Sequence, residues 1–252
     1  MKKIAFLFTA QTWIVLAVSL LSAYISLTLQ LNLYVDFLIL GLIIAFPLNL
    51  TIKLAFKRRE QAIKELTELK ATLKACFFFV ENLQLPSSAT IQFTETLRNS
   101  VAKTEDYLTS KNSSSLEVEK LPETFLRVFS GNKDLMKEKI YSRLLSYVQK
   151  IDESILFLVS VKKHHTPYGV RLIVLLAIYI FTVFYPASLL HKTGFDNPLW
   201  YVFVMTAFKG FILISLFNIQ VGLEDSFTSS GPDKIKLKEL LNVDFLQKSE
   251  QT

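Results

Sequence analysis

The chain has 252 residues, 51% of them hydrophobic and 20% charged, with a formal net charge of +6 and a mean hydropathy of +0.35. This composition excludes a disordered or collagen-like chain and argues against an ordinary soluble enzyme. A single cysteine, Cys76, excludes an intrachain disulfide and a cysteine-rich metal site.

In chain order, no charged residue falls between Ile4 and Val35, and after Asp36 a second uncharged run extends from Phe37 to Ile52. A third covers Leu172 to Leu190, and a fourth covers Pro198 to Leu223 with Lys209 as its only charge. At a rise of about 1.5 Å per residue, such runs match a hydrocarbon core about 30 Å thick. They predict four transmembrane helices, at about 11–31, 35–53, 170–190 and 198–219. The first two form one hairpin within 1–53 and the last two a second within 170–220, joined by 54–169 and followed by a segment 221–252. Lys2 and Lys3 before an apolar stretch also fit a secretory signal peptide. The length of the apolar run, the lack of a clear small-x-small cleavage site and the prompt second run favour a retained helix.

Pro47 removes a backbone donor from the second span and is expected to kink or unwind it. In the polar middle, Leu66, Leu69, Leu73, Phe77 and Val80 recur at spacings of three and four, which predicts a helix over about 56–83 with one apolar face. Cys76, beside Phe77, Phe78 and Phe79, reads as a buried structural thiol. Pro86 ends this helix, and Ser87 is expected to cap the next, which carries Ile91, Leu97 and Val101. The stretch 110–115 reads as a loop. Beyond Ser130-Gly131-Asn132, a longer helix carries Ile140, Leu144, Val148, Ile151, Ile155 and Leu158 on one stripe, until Thr166-Pro167 breaks the chain before the third span. No alternating strand pattern, internal repeat or sustained heptad is present. The expected fold is an all-α membrane protein with four transmembrane helices in two hairpins and a helical cytoplasmic domain.

Placement of charge orients this chain. Residues 54–171 hold 19 Lys or Arg against 14 Asp or Glu, and Lys57-Arg58-Arg59 and Lys162-Lys163 abut the membrane ends of their helices. The positive-inside rule therefore puts the middle region and both termini in the cytoplasm. A basic chain also suggests nucleic acid, but no nucleic-acid motif accompanies the charge, so the expected partner is the lipid bilayer.

Nothing nominates a catalytic site or a cofactor: phosphate loops, dinucleotide fingerprints, the metalloprotease helix and the nucleophile elbow are all missing. His164-His165 are adjacent imidazoles that point apart on a helix and lack further ligands, so no metal site is expected. Lys209 sits mid-span, where a lone ammonium costs at least about 2.5 kcal/mol. It reads either as a charge on a pore or vestibule, or as a lysine paired at a helix interface or reaching along its helix to the membrane interface. Leu42, Phe46 and Leu50, at i, i+4 and i+8, form a stripe that either packs against a neighbour or lines a pathway.

Three stretches, in order, resemble the bestrophin family of oligomeric ion channels. The first is Leu50 to Leu66, LTIKLAFKRREQAIKEL, where a pore helix leaves the membrane into a basic, then Glu/Ala/Lys-rich helix. The second is Val161 to Tyr168, VKKHHTPY, similar to the family's basic turn with Thr-Pro before the third span, which then closes on Phe184-Tyr185-Pro186. The third is Gly222 to Phe227, GLEDSF, followed by Gly231 to Leu237, similar to the family's acidic turn (here Glu224 and Asp225) and its downstream Asp-x-x-x-Leu. Departures are Arg58-Arg59-Glu60 where the family has Arg-Trp-Trp, Ser226 in place of the proline after the acidic pair, and no run of carboxylates for a calcium clasp.

The resemblance implies a homopentamer that passes small inorganic ions passively, with no calcium gate, and the short chain and missing calcium clasp point to a bacterial inner membrane. The resemblance places the neck on Leu42, Phe46 and Leu50 and the vestibule lining on the helix from Asp134 to Val161, with Val148 and Ile151 as candidates for the cytoplasmic constriction. The positive interior slightly favours anions such as chloride. A competing expectation is a non-conducting membrane scaffold or signalling subunit, motivated by the altered motifs and by Lys209.

Overall fold

The computed structural model describes residues 8–31, 33–83, 86–110, 113–164, 167–194, 198–224, 227 and 234–242. Among these, every regular element is a helix. In order they are α1 (Ala10–Thr28), α2 (Phe37–Glu81), α3 (Ser87–Thr109), α4 (Leu116–Glu119), α5 (Leu121–Gly131), a 3-10 turn (Lys133–Leu135), α6 (Glu138–Lys163), α7 (Tyr168–Thr193), α8 (Leu199–Glu224) and α9 (Leu237–Leu240). Four helical stretches, in α1, in α2, ending with α7, and in α8, are long and apolar enough to cross a membrane. The described chain divides into two compact units, each with its own core.

The first unit holds the described residues of 8–57 and 167–224. α1 and α2 follow one another as the first helical pair, α7 and α8 as the second, and the closest packing unites α1, α7 and α8. The face α1 turns inward is made of Thr12, Val15, Ser19, Ser22, Ala23 and Ser26. Small side chains there let backbones approach, which is how membrane helices associate when lipid is as apolar as their own leucines. Gly210 of α8 marks the meeting point: a Cβ there would lie 3.5 Å from Val15 Cγ1, 3.7 Å from Ser19 Cβ and 3.8 Å from Thr182 Cγ2. Three hydrogen bonds cross between the helices of this seam. Asn218 Nδ2 donates to Thr12 Oγ1 at 2.9 Å and Thr9 Oγ1 donates to Asn218 Oδ1 at 3.4 Å, while Ser22 Oγ donates to the Val183 carbonyl at 2.5 Å. Each such bond contributes about 1 kcal/mol. α2 joins the trio at its start, where the Phe37 ring meets Phe181 and Tyr185 edge-on, with centroids 5.0 and 5.6 Å apart.

The second unit holds the described residues of 58–164 together with Phe227 and 234–242. The predicted stripe Leu66, Leu69, Leu73, Phe77 and Val80 is buried, 3% exposed or less. The second span and the helix expected over about 56–83 run on as a single helix, α2, with no residue between Lys53 and Phe56 to break the ladder. Ser87 is not the cap of α3; the cap is Pro86, without a side-chain hydrogen bond, and α3 faces the core with Ala89, Phe93, Leu97, Ser100 and Val101 while Ile91 points out. α4 and α5 add Val118, Leu121, Phe125 and Phe129, and Phe93, Phe125 and Phe129 form one ring cluster. The C-terminal stretch seals the same core with Phe227, Ile235, Leu237 and Leu241.

The Lys162-Lys163 cluster, expected to mark the membrane side, is used inside this unit. Lys162 Nζ donates to the carbonyls of Tyr107 and Ser110 and to Ser113 Oγ, and lies 3.9 Å from the Tyr107 ring centroid. A cation at the last carbonyls of α3 complements the negative end of its dipole. Lys163 pairs with Glu119 at 3.3 Å, and hydrogen bonds from Ser115 and then Lys163 hold the Glu119 carboxyl below its usual range.

Cys76 is buried among these side chains, as its phenylalanine neighbours predicted, and burial pushes its thiol up to about 12. Since the thiolate is the reactive form, native protein is expected to resist N-ethylmaleimide at mildly alkaline pH and to label stoichiometrically in denaturant. Rapid labelling of native protein by mass spectrometry would contradict that burial.

Candidate functional site

The first half of α2 carries two opposed faces. Ile44, Leu48, Thr51 and Ala55 are 1%, 3%, 5% and 3% exposed, whereas Leu42, Phe46 and Leu50 are 59%, 67% and 45% exposed. Among the described residues, the stripe of Leu42, Phe46 and Leu50 therefore stays largely exposed. Pro47, expected to kink or unwind the helix, leaves it helical throughout. Thr51 Oγ1 donates to the carbonyls of Pro47 and Leu48 at 2.9 and 3.0 Å, so a side chain adds bonds in the turn that follows the proline.

Val148 and Ile151 do not share this character. They are 4% and 1% exposed, inside the core of the second unit. Side chains enclosed in this way offer no surface to an ion pathway. The outward face of α6 is instead Ser142, Ser146, Gln149, Glu153, Leu156, Ser160 and Lys163.

Lys209 has an aromatic partner. Its Nζ lies 4.2 Å from the centroid of Tyr185, which in turn stacks on Phe181 at 5.3 Å and 10°. A ring face close to an ammonium offsets part of its desolvation, and the contact joins α8 to α7.

Of the acidic turn, Asp225 lies outside the described residues. The Glu224 side chain is 1% exposed and forms an ion pair with Arg171, whose side chain is 26% exposed. Gln220 Nε2 donates to Glu224 Oε1 at 3.0 Å. The start of α7 is thus tied to the end of α8 by a buried charge pair. The sequence motif names Glu224 but not its partners Arg171 and Gln220. The signal was present: Arg171 is the last charge before the third apolar run and Glu224 the first after the fourth.

Four membrane-length apolar helices with a helical polar unit define an all-helical integral membrane protein. No protein-family model matches the sequence, and no curated protein does. Among solved structures, the fold is that of a bacterial bestrophin homologue from Klebsiella pneumoniae. One single-substitution variant of that protein superposes with a TM-score of 0.78 at 14% identity, covering 96% of this chain and 100% of the other. Another gives 0.79 at 13% identity, covering 96% and 98%. A third gives 0.79 at 14%, again covering 96% and 98%. The resemblance read from three short motifs thus extends to the fold of nearly the whole chain.

Proposed function

We propose that the protein is a bestrophin-like oligomeric ion channel that passes small ions passively, anions such as chloride favoured, through a central pore lined by α2. The observation that carries this reading is the exposed stripe of Leu42, Phe46 and Leu50, opposite a fully packed face of the same helix. In a homopentamer of this fold each residue becomes an apolar ring around the axis. Such rings control passage by dewetting, because stripping an ion of water in an apolar tube is costly unless the tube widens. The second unit and both termini are then cytoplasmic, and the membrane is a bacterial inner membrane.

Two measurements on detergent-purified protein test the reading. Imaged particles are expected to show fivefold symmetry, and liposomes carrying the protein are expected to take up chloride down a gradient faster than empty ones. Monomers or dimers without flux, co-purifying with a stoichiometric soluble partner, would replace the channel by the scaffold.

A further inference from the structure

The face of α2 that carries the proposed neck does not end at Leu50. At about 100° of turn per residue, Leu42, Phe46 and Leu50 span a sector of about 80°, and Lys53 and Lys57 fall inside it. The buried residues Ile44, Leu48, Thr51 and Ala55 lie on the opposite side of the helix. Both lysines are exposed and belong to the same unit as the stripe. They are also the first charges after the uncharged run from Phe37 to Ile52, and the first carboxylate after them is Glu60. Arg58 and Arg59, the other members of the basic cluster, fall outside that sector. The Arg58 guanidinium donates to the His164 carbonyl at 3.2 Å, and Arg59 is likewise engaged. The cluster that orients the chain thus separates into arginines held by the protein and a pair of lysines in line with the stripe.

We infer that Lys53 and Lys57 form a cationic collar at the inner end of the neck, a binding site for small inorganic anions that sets the sign of ion selectivity. The inference rests on the pore reading above and names the residues that make the pore prefer anions. The collar begins about 5 Å past Leu50 along the helix and reaches about 10 Å past it. That is within about one screening length in physiological salt, so an ion leaving the apolar ring feels the ammonium charge. Each copy contributes two ammonium groups, and symmetry sums them around one axis. Charges lining a narrow low-dielectric passage concentrate counter-ions far more than the same charges spread over a surface. An apolar neck alone repels both signs of ion; lysines at its mouth break that symmetry.

The test uses full-length protein in planar bilayers under a NaCl gradient. Neutralising the pair in K53Q/K57Q is expected to lower the chloride-to-sodium permeability ratio about tenfold, K53E/K57E to reverse its sign, and K53R/K57R to retain the anion preference. Because native Cys76 is buried, K57C supplies the only accessible thiol for a readout independent of current. Copper phenanthroline is expected to cross-link it between copies, and to leave A55C, on the buried face, monomeric. Current in wild type with an unchanged reversal potential in K53E/K57E overturns the collar and leaves the pore reading standing. Cross-linking of K57C without any wild-type current sinks the pore reading but upholds the placement of the lysines. Absence of cross-links, with K53Q/K57Q losing co-purified anionic phospholipid, assigns both lysines to lipid headgroups and also overturns the inference.

Discussion

Arg171→Met is expected to lower the thermal midpoint of the detergent-solubilised protein by about 10 °C. The pair it breaks joins the first turn of α7 to the last turn of α8, and the Glu224 side chain has 1% of its surface exposed. Removing the guanidinium leaves a carboxylate enclosed at the membrane boundary, where the loss of one partner costs about 3–5 kcal/mol. The lower figure applies, since Arg171 itself keeps a side-chain exposure of 26%. For a chain of this size about 1 kcal/mol corresponds to about 2–4 °C. Glu224→Gln is the milder change, because the partner it abandons reaches water and Gln220 can still donate to the new amide. The double variant Arg171→Met/Glu224→Gln is expected to regain most of the loss, since no uncompensated charge remains buried. A double variant as unstable as Arg171→Met would show that packing, not charge, holds these helix ends. The midpoint is read from the decay of the monodisperse size-exclusion peak after heating.

Much of the fold was legible because a bilayer imposes one strong rule: backbone that crosses it is carried by long uncharged runs. The absence of charge from Phe37 to Ile52 or Leu172 to Leu190 is a coarse signal that needs no alignment. Finer features depended on what a face covers, which periodicity does not tell. Val148 and Ile151 share a stripe with Leu144 and Ile155, and that stripe closes the core of its own unit. Leu42, Phe46 and Leu50 share a stripe of the same form and stay exposed. Ile91 failed for a related reason, because Ala89, Phe93 and Leu97 define the inward face of α3. The helices Leu116–Glu119 and Leu121–Gly131 are too short for a periodic window and went unseen. Lys162 shows the limit of charge counting: most of its donors go to the end of α3, a use that its place in a basic cluster does not reveal.

The largest effect on function is expected from truncating the proposed neck. Leu42→Ala with Phe46→Ala should raise chloride flux into liposomes about tenfold or more, since each 1.4 kcal/mol removed from a barrier is worth about tenfold. A ring of leucine or phenylalanine around an axis narrows the tube and leaves it dry; alanine widens it and lets water follow the ion. The two positions are well suited to the experiment because their side chains are 59% and 67% exposed in the chain, so truncation removes little of the protein's own core. Leu48→Ala is the control on the other face: with 3% exposure it is expected to cost about 2–5 kcal/mol of stability while leaving the neck side chains in place. Selectivity should survive the double truncation, because the lysines that follow the neck are untouched. Unchanged flux from particles that keep their symmetry would remove Leu42 and Phe46 from the pore and turn that face of α2 toward lipid.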